Sequence, residues 1–451
     1  MRRLAFLFLI LVVSAMCAEK MTAPRLIEAA KSHRAGLAED VAASFDAKQL
    51  KSGAAWLSEG PDFFFAVESA SAPALFIDDS PGPAMQKAEA SGLWYAVARI
   101  DGLGKVHSFH YVVDGARFGG SRDVPAYGPL LYRKAGVPSG TLSEKITHSS
   151  RVYDGMQSEY WIYVPAGYDP QVPAALMVFQ DGGGYTRPDG ASSMLYAIDN
   201  LIAARKIPPM ICVFINPGDI SGSPGTPTWR FVKGYSDKWG RDLRDSMRST
   251  LYDTVSDRYA RYLRDEILAD VGAKYKLRQD AYSRAITGAS SGGICAFNAA
   301  WQMPEQFSRV LTWIGSFVAI QWKEDPAVVD GGQDYPEKVL REPKRNIRVW
   351  LQDGANDMED NFFGSRYGSW ALSNVRMANA LKNKGYDFHF SFSQGSHSGA
   401  HGRAEFPQEM IWLWRDYDPA RTEQAYAMEP AEKAKPAFRV SIANRDHDDG
   451  N

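Results

Sequence analysis

Residues 283–293 read SRAITGASSGG and run straight into ICAFNAA, an apolar strand-like segment followed by a glycine-rich turn and a helix-like stretch. Within it, Gly288-x-Ser290-x-Gly292 places a serine between two glycines where strand gives way to helix. That context suits a nucleophile, because a sharp turn lifts the serine Oγ clear of the sheet. Bulk at Gly288 or Gly292 would collide with the neighbouring backbone. The N–H of Ser291, first in the following helix, would face a carbonyl oxygen as it turns negative. A five-residue pattern of this kind recurs in unrelated chains as a plain glycine turn, so its flanking elements give it weight.

A serine hydroxyl is a weak nucleophile unless an imidazole takes its proton and a carboxylate orients that imidazole. On a strand–elbow–helix framework the partners follow in the order serine, acid, histidine. Four of the eight histidines (His33, His107, His110, His148) precede Ser290, and His447 lies in the terminal tail. His107 and His110 share a strand three residues apart, on opposite faces, which makes a poor metal pair. His389 sits inside the candidate strand DFHFSFS and is expected to be structural. His397 and His401 follow in the loop SQGSHSGAHGR. His397 is the first choice for the base, flanked by Gly395 and Gly399; His401 is the alternative, or a lining residue of the same cleft.

For the acid, RNIRVWLQD (345–353) is expected to be a strand ending at Asp353. Four carboxylates then fall within eight residues: Asp353, Asp357, Glu359 and Asp360. Asp357 is preferred, since it follows the Gly354 turn. Asp353 would shape that turn at the cleft edge; Glu359 stays open, as does a merely solvated acidic loop. The second oxyanion donor is expected where ALMVFQD (175–181) leads into Gly182-Gly183-Gly184-Tyr185. Gly183 is favoured, Gly182 next, with Tyr185 beside the cleft.

These residues need a scaffold. ALMVFQD, MICVFI (210–215), SRAITG, RVLTWIG (309–315), RNIRVWLQD and DFHFSFS are short buried-type strands. Helical patterns near 189–205, 255–270, 291–300, 368–384 and 403–416 alternate with them, and SSRVYDG with EYWIYVP forms an opening hairpin. The expectation is an α/β sheet covered on both faces over 126–420. Before it, FFFAVES (63–69), APALFID, LWYAVARI and VHSFHYVVDG suggest a small all-β sandwich over 53–125. A short helical segment (19–52) precedes that, and a polar tail (421–451), expected to be loosely held, closes the chain.

Composition agrees with an ordinary globular protein. The 451 residues are 45% hydrophobic with 12 Trp and 22 Phe, and a net charge of -2 offers no basic field for nucleic acid. Arg2, Arg3, the apolar run Leu4–Val13 and small residues before Glu19 read as a secretory signal peptide (1–18), which implies a periplasmic or secreted protein. Cys17 beside the bulky Met16 is a poor lipid-anchor site. No later run reaches transmembrane length. Cys212 and Cys295 both sit in apolar runs, as buried free thiols would.

Taken together, GASSGG, MVFQDGGGY (177–185), WLQDGANDMED (350–360) and GSHSGAHG (395–402) resemble the esterase D-like α/β-hydrolases, in the branch of enterochelin-esterase-related, feruloyl and acetyl-xylan esterases. RSTLYDTVSDRYARYLRDEIL (248–268) and WLWRDY (412–417) are similar to that group as well. The resemblance spans about residues 140–417. It implies a Ser290–Asp357–His397 triad, an oxyanion hole from Ser291 and the Gly182–Gly183 loop, no metal or organic cofactor, and an early-set immunoglobulin-like domain at about 55–125. It also implies a small-molecule or polysaccharide-linked ester as substrate, acetylated or hydroxycinnamoylated carbohydrate ahead of a catecholate siderophore. The competing class is an inactive carbohydrate-binding envelope protein on the same fold.

Overall fold

The computed structural model describes residues 20–188, 192–218, 229–232, 243–320, 331–359 and 368–442. The expected leader with Cys17, and Asp360 and His447, lie outside the described residues. The chain forms two compact units, one up to Asp101 plus Ser108–Ser121, the other Gly102–His107 plus everything from Arg122.

The first unit opens with α1 (Ala23–Lys31), α2 (Leu37–Ser44) and α3 (Ala47–Ser52). Asp46 starts α3 through a reciprocal cap: its carboxylate accepts from the Lys48 N–H and its own N–H donates to Gln49. Strands β1 (Ala55–Glu59), β2 (Asp62–Glu68), β3 (Ala74–Ile77), β4 (Ser80–Pro81), β5 (Gln86–Lys87), β6 (Leu93–Arg99), β7 (Lys105–Val113) and β8 (Ala116–Ala126) follow. They make two four-stranded sheets, ordered β1-β2-β6-β5 and β4-β3-β7-β8. The unbroken FFFAV run of β2 is explained by burial on both faces. Phe65 meets Phe109 of the second sheet at 4.8 Å, while Phe64 and Ala66 pack with Leu26, Val41 and Leu50 of the helices. The helical segment and the strands, divided at residue 52 from sequence, therefore share one core. Periodicity misses this because each helix is too short to reveal its partner.

The second unit contains β9 (Thr141–Leu142), β10 (Ile146–Ser149), β11 (Gln157–Val164), β12 (Ala175–Gln180), α4 (Met194–Ala203), β13 (Met210–Ile215), β14 (Trp229–Val232), β15 (Leu243–Ser246), α5 (Met247–Tyr252), α6 (Arg258–Tyr262) and α7 (Leu268–Lys274). It continues with β16 (Arg284–Ala289), α8 (Ser291–Gln302), β17 (Arg309–Trp313), α9 (Tyr335–Arg341), β18 (Arg348–Asn356), α10 (Trp370–Asn383), β19 (Asp387–Ser396), α11 (Ala400–Leu413) and α12 (Pro430–Ala434). The main sheet runs β10-β11-β13-β12-β16-β17-β18-β19, with β9 on β11. Every pairing from β13 to β19 is parallel. Side chains of β12 alternate between two cores: Leu176 and Val178 enter one, Met177 and Phe179 the other. This is the α/β-hydrolase type of mixed sheet and helices, and its double burial accounts for the apolar runs. The chain steps from β12 to β13 on one side, then returns to β16 on the other. The crevice beyond the carboxyl ends of β12 and β16 is thus a topological switch point, where open α/β sheets place their ligands.

No helix among the described residues is long and apolar enough to cross a membrane. Cys212 and Cys295 are free and buried, as expected. The tail is not loose over 421–442: Tyr426 is buried, its N–H donates to Asn346 Oδ1, and Phe438 stacks edge-on against Phe390 at 5.2 Å. A few aromatics in a polar segment suffice to dock it.

Candidate active site

β16 ends at Ala289, and Ser290 turns the chain into α8 with φ 57° and ψ -124°. A non-glycine residue seldom adopts that backbone, and it persists because its surroundings hold it. The Ser290 N–H donates to Trp313 O and its carbonyl accepts from the Ser316 N–H, which ties the turn to the end of β17. The glycine requirement is steric, since a Cβ on Gly288 would lie 2.3 Å from Gly292 O.

Ser290 Oγ is 2.8 Å from His397 Nε2, and His397 Nδ1 is 2.5 Å from Asp357 Oδ1. Asp357 is fully buried, whereas the His397 side chain is 18% exposed. The Met358 N–H donates to the same Asp357 oxygen. Trp370 meets the His397 ring edge to face at 5.4 Å and donates its indole N–H to Ser316 Oγ, which lies 3.3 Å from Ser290 Oγ. Hydroxyl, imidazole and carboxylate thus form one hydrogen-bonded line. Such a line can draw a proton from Ser290 when the hydroxyl attacks an electrophile.

Several expectations need correction. β18 does not end at Asp353; it pairs with β19 as far as Asn356 and Ser396, through an irregularity near Gly354. Asp353 is therefore sealed within the sheet at 0% exposure and does not line a cleft. It accepts the Gly354 N–H at 2.6 Å and lies beside the Asp357 carboxyl. Burial, then the neighbouring Asp357, pushes its carboxyl well above the usual range, which favours its protonated form. His401 lies in the first turn of α11, only 3% exposed, with Nδ1 on Gln352 and Ser393 and Nε2 3.4 Å from Glu405. It has no part in the serine line and is not a cleft residue. Tyr185 packs under the loop against Phe179 and Trp313.

The glycine loop is also different in detail. The Gly183 N–H donates to Asn216 Oδ1 at 2.9 Å, so it is occupied. Gly182 presses on β13, where a Cβ would come 2.3 Å from the backbone of Phe214. Ser291 is the first residue of α8, its N–H at the helix start as expected. Glu359 ends the described segment in an isolated bridge to Ser369, with no bond to His397. His389 stacks on Trp350 at 4.0 Å and His110 on Phe76 at 5.1 Å, both structural.

Four contributors escaped the sequence reading: Ser316, Trp370, Arg248 and Asp253. Arg248, in α5, grips Asp181 at the head of the glycine loop with Nε and Nη2 at 2.9 and 2.7 Å. Asp253 accepts from Ser249 Oγ, and burial pushes its carboxyl up to about 6, while Arg248 Nη2 also reaches Ala289 O at 3.4 Å. One segment thereby braces both the loop and the elbow. RSTLYD was visible only as part of a helical region, because nothing in local spacing shows which loops it reaches.

The Asp353–Asp357 pair gives a graded test. Asp353→Asn keeps a donor toward Asp357 and is expected to hold kcat within about tenfold. Asp353→Leu removes it, and should cost at least tenfold in kcat and roughly 1–3 kcal/mol of stability through the buried polar groups it strands. Steady-state rates and urea melts of both variants check this. Equal loss in the two would mean that Asp353 acts by charge.

The "Putative esterase" family model matches residues 154–413, more than half of the chain. The chain is 22% identical over 356 residues to the iron(III) enterobactin esterase of Dickeya dadantii (strain 3937), covering 78% of this chain and 73% of that protein. Among solved structures it is similar to the ferric enterobactin esterase of Salmonella typhimurium, with 15% identity, a TM-score of 0.50, and 81% and 98% of the two chains covered. A CE1 ferulic acid esterase from Anaeromyces mucronatus has 16% identity and a TM-score of 0.44, covering 63% and 94%. The Salmonella likeness shows a shared fold. With a family match spanning elbow, acid segment and histidine loop, the chain belongs to the Esterase family and is a carboxylic ester hydrolase.

Proposed function

We propose that this enzyme cleaves esters through a Ser290–His397–Asp357 triad and an acyl-enzyme. The supporting observation is the unbroken hydrogen-bonded line from Asp357 through His397 to Ser290 at the head of β16. Ser290 Oγ attacks the ester carbonyl carbon as His397 Nε2 takes its proton. Asp357 holds the Nδ1–H tautomer and stabilises the imidazolium. The N–H of Ser291 receives the oxyanion; from the glycine loop the Gly182 N–H is the candidate donor, since Gly183 is bound to Asn216. The carbonyl re-forms, the alcohol leaves with the His397 proton, and water repeats the steps on the acyl group.

For the substrate we favour an ester carried by a carbohydrate, acetyl or hydroxycinnamoyl. The apolar leader fits a secreted or periplasmic enzyme that meets polymers, and we read the paired sheets of residues 55–126 as an early-set immunoglobulin-like accessory domain. A second reading, hydrolysis of a catecholate-siderophore ester, is favoured by the similarity to the Dickeya enterobactin esterase. A panel of acetylated xylan, methyl ferulate, a catecholate-siderophore ester and a medium-chain aryl ester separates them. By kcat/KM the carbohydrate or feruloyl ester should lead. A hundredfold preference for the siderophore ester would establish the second reading.

A further inference from the structure

A cavity of about 400 Å3 lies in the second unit between the two loops that carry the chemistry. Its walls are Tyr127, Arg187, Pro188 and Arg403, with the backbones of Gly184 and Gly399. Gly184 is the last glycine of the glycine loop, and Gly399 is two residues beyond His397. The cavity is thus bordered by residues at the end of the glycine loop and just beyond His397.

Its charge is one-sided. Among the described residues of the lining, the two charged side chains are both arginines and none is a carboxylate. Among the described residues neither guanidinium is paired with a carboxylate; Arg403 makes a long 3.5 Å contact to Gly184 O. Arg248 and Arg348, by contrast, are paired with Asp181 and Asp387. Arg403 is in the first turn of α11, whose start at Ala400 also borders the cavity. The positive end of that 14-residue helix adds to the two guanidinium charges. Tyr127 and Pro188 supply apolar walls for a ring or chain. Two forked cations around a small space with apolar sides suit a planar oxyanion, which arginine binds through paired N–H groups.

We infer that this cavity is a substrate subsite for a carboxylate carried by the ester substrate near its scissile bond, as on a uronate or a dicarboxylic half-ester. The inference rests on the ester-hydrolase reading and narrows it: the natural substrate is an acidic ester, and a neutral acetyl or feruloyl ester leaves the subsite unused.

The test compares matched aryl esters on the full chain: a half-ester with a free terminal carboxylate, its neutral methyl ester, and an analogue bearing a phosphate in the same place. The measured quantity is the ratio of kcat/KM for the charged and neutral members. Wild type should favour the carboxylate at least tenfold at low ionic strength, and the ratio should fall as salt rises. Arg403→Gln and Arg187→Gln should each reduce it several-fold, and Arg187→Glu should turn it against the anion. A wild-type ratio at or below one, or a ratio that none of these variants moves, overturns the inference. A preference confined to the phosphate analogue overturns the carboxylate assignment. Failure of the ester-hydrolase reading looks different, since neither charged nor neutral ester would then be turned over.

Discussion

Ser290→Ala is expected to lower kcat for a short-chain aryl ester by on the order of 10⁶-fold, the scale seen when a triad serine is removed. The change deletes a single oxygen. That oxygen bonds His397 Nε2 at 2.8 Å and Ser316 Oγ at 3.3 Å, and neither partner becomes buried without recourse. His397 remains on Asp357, and Ser316 still accepts from Trp370. The turn itself rests on backbone bonds to Trp313 and Ser316, which alanine keeps. Thermal stability should therefore change by less than about 1 kcal/mol, while a serine-directed phosphonate that labels the wild type loses its site. A normal burst of acyl-enzyme in the variant would remove Ser290 from the mechanism.

How much of this was legible in the sequence depends on how local each feature is. The elbow was legible because strand, turn and helix are contiguous, and because a Cβ at Gly288 would strike a residue only four positions away. The sheet strands were legible because double burial leaves continuous apolar runs. Acid and base candidates were chosen by order and by loop position, and two of their alternatives were separated from them for physical reasons beyond a window. Asp353 is set apart from Asp357 by how far β18 extends, which pairing with β19 decides. His401 is set apart from His397 because α11 begins at Ala400 and turns its second residue into the core. The occupied N–H of Gly183 depends on Asn216, 33 residues away. The bracing by Arg248 crosses 67 residues to Asp181, so it shows only once the fold is in place.

Asp357→Asn is expected to lower kcat by about 10⁴-fold, or about 5.4 kcal/mol at 1.36 kcal/mol per tenfold. The reason is the tautomer. His397 serves as a base only when Nδ1 carries the hydrogen and Nε2 presents its lone pair to Ser290. Asp357 Oδ1 enforces this because, as a carboxylate, it accepts from both Nδ1–H and the Met358 N–H. An asparagine that turns its amide nitrogen to His397 donates to Nδ1, moves the hydrogen to Nε2 and leaves the serine proton without an acceptor. Its oxygen could face His397 only by turning that nitrogen toward Asp353, whose buried carboxyl favours its protonated form. The same substitution at Asp353 replaces a carboxyl that favours its protonated form by an amide donor, and should leave the tautomer alone. The two aspartates, four residues apart and in contact, should therefore respond to the same chemical change by factors differing about a thousandfold. A loss below tenfold at Asp357 would transfer the acid role to Asp353 or Glu359, and an equal loss at both would mean that the pair orients His397 as a single unit.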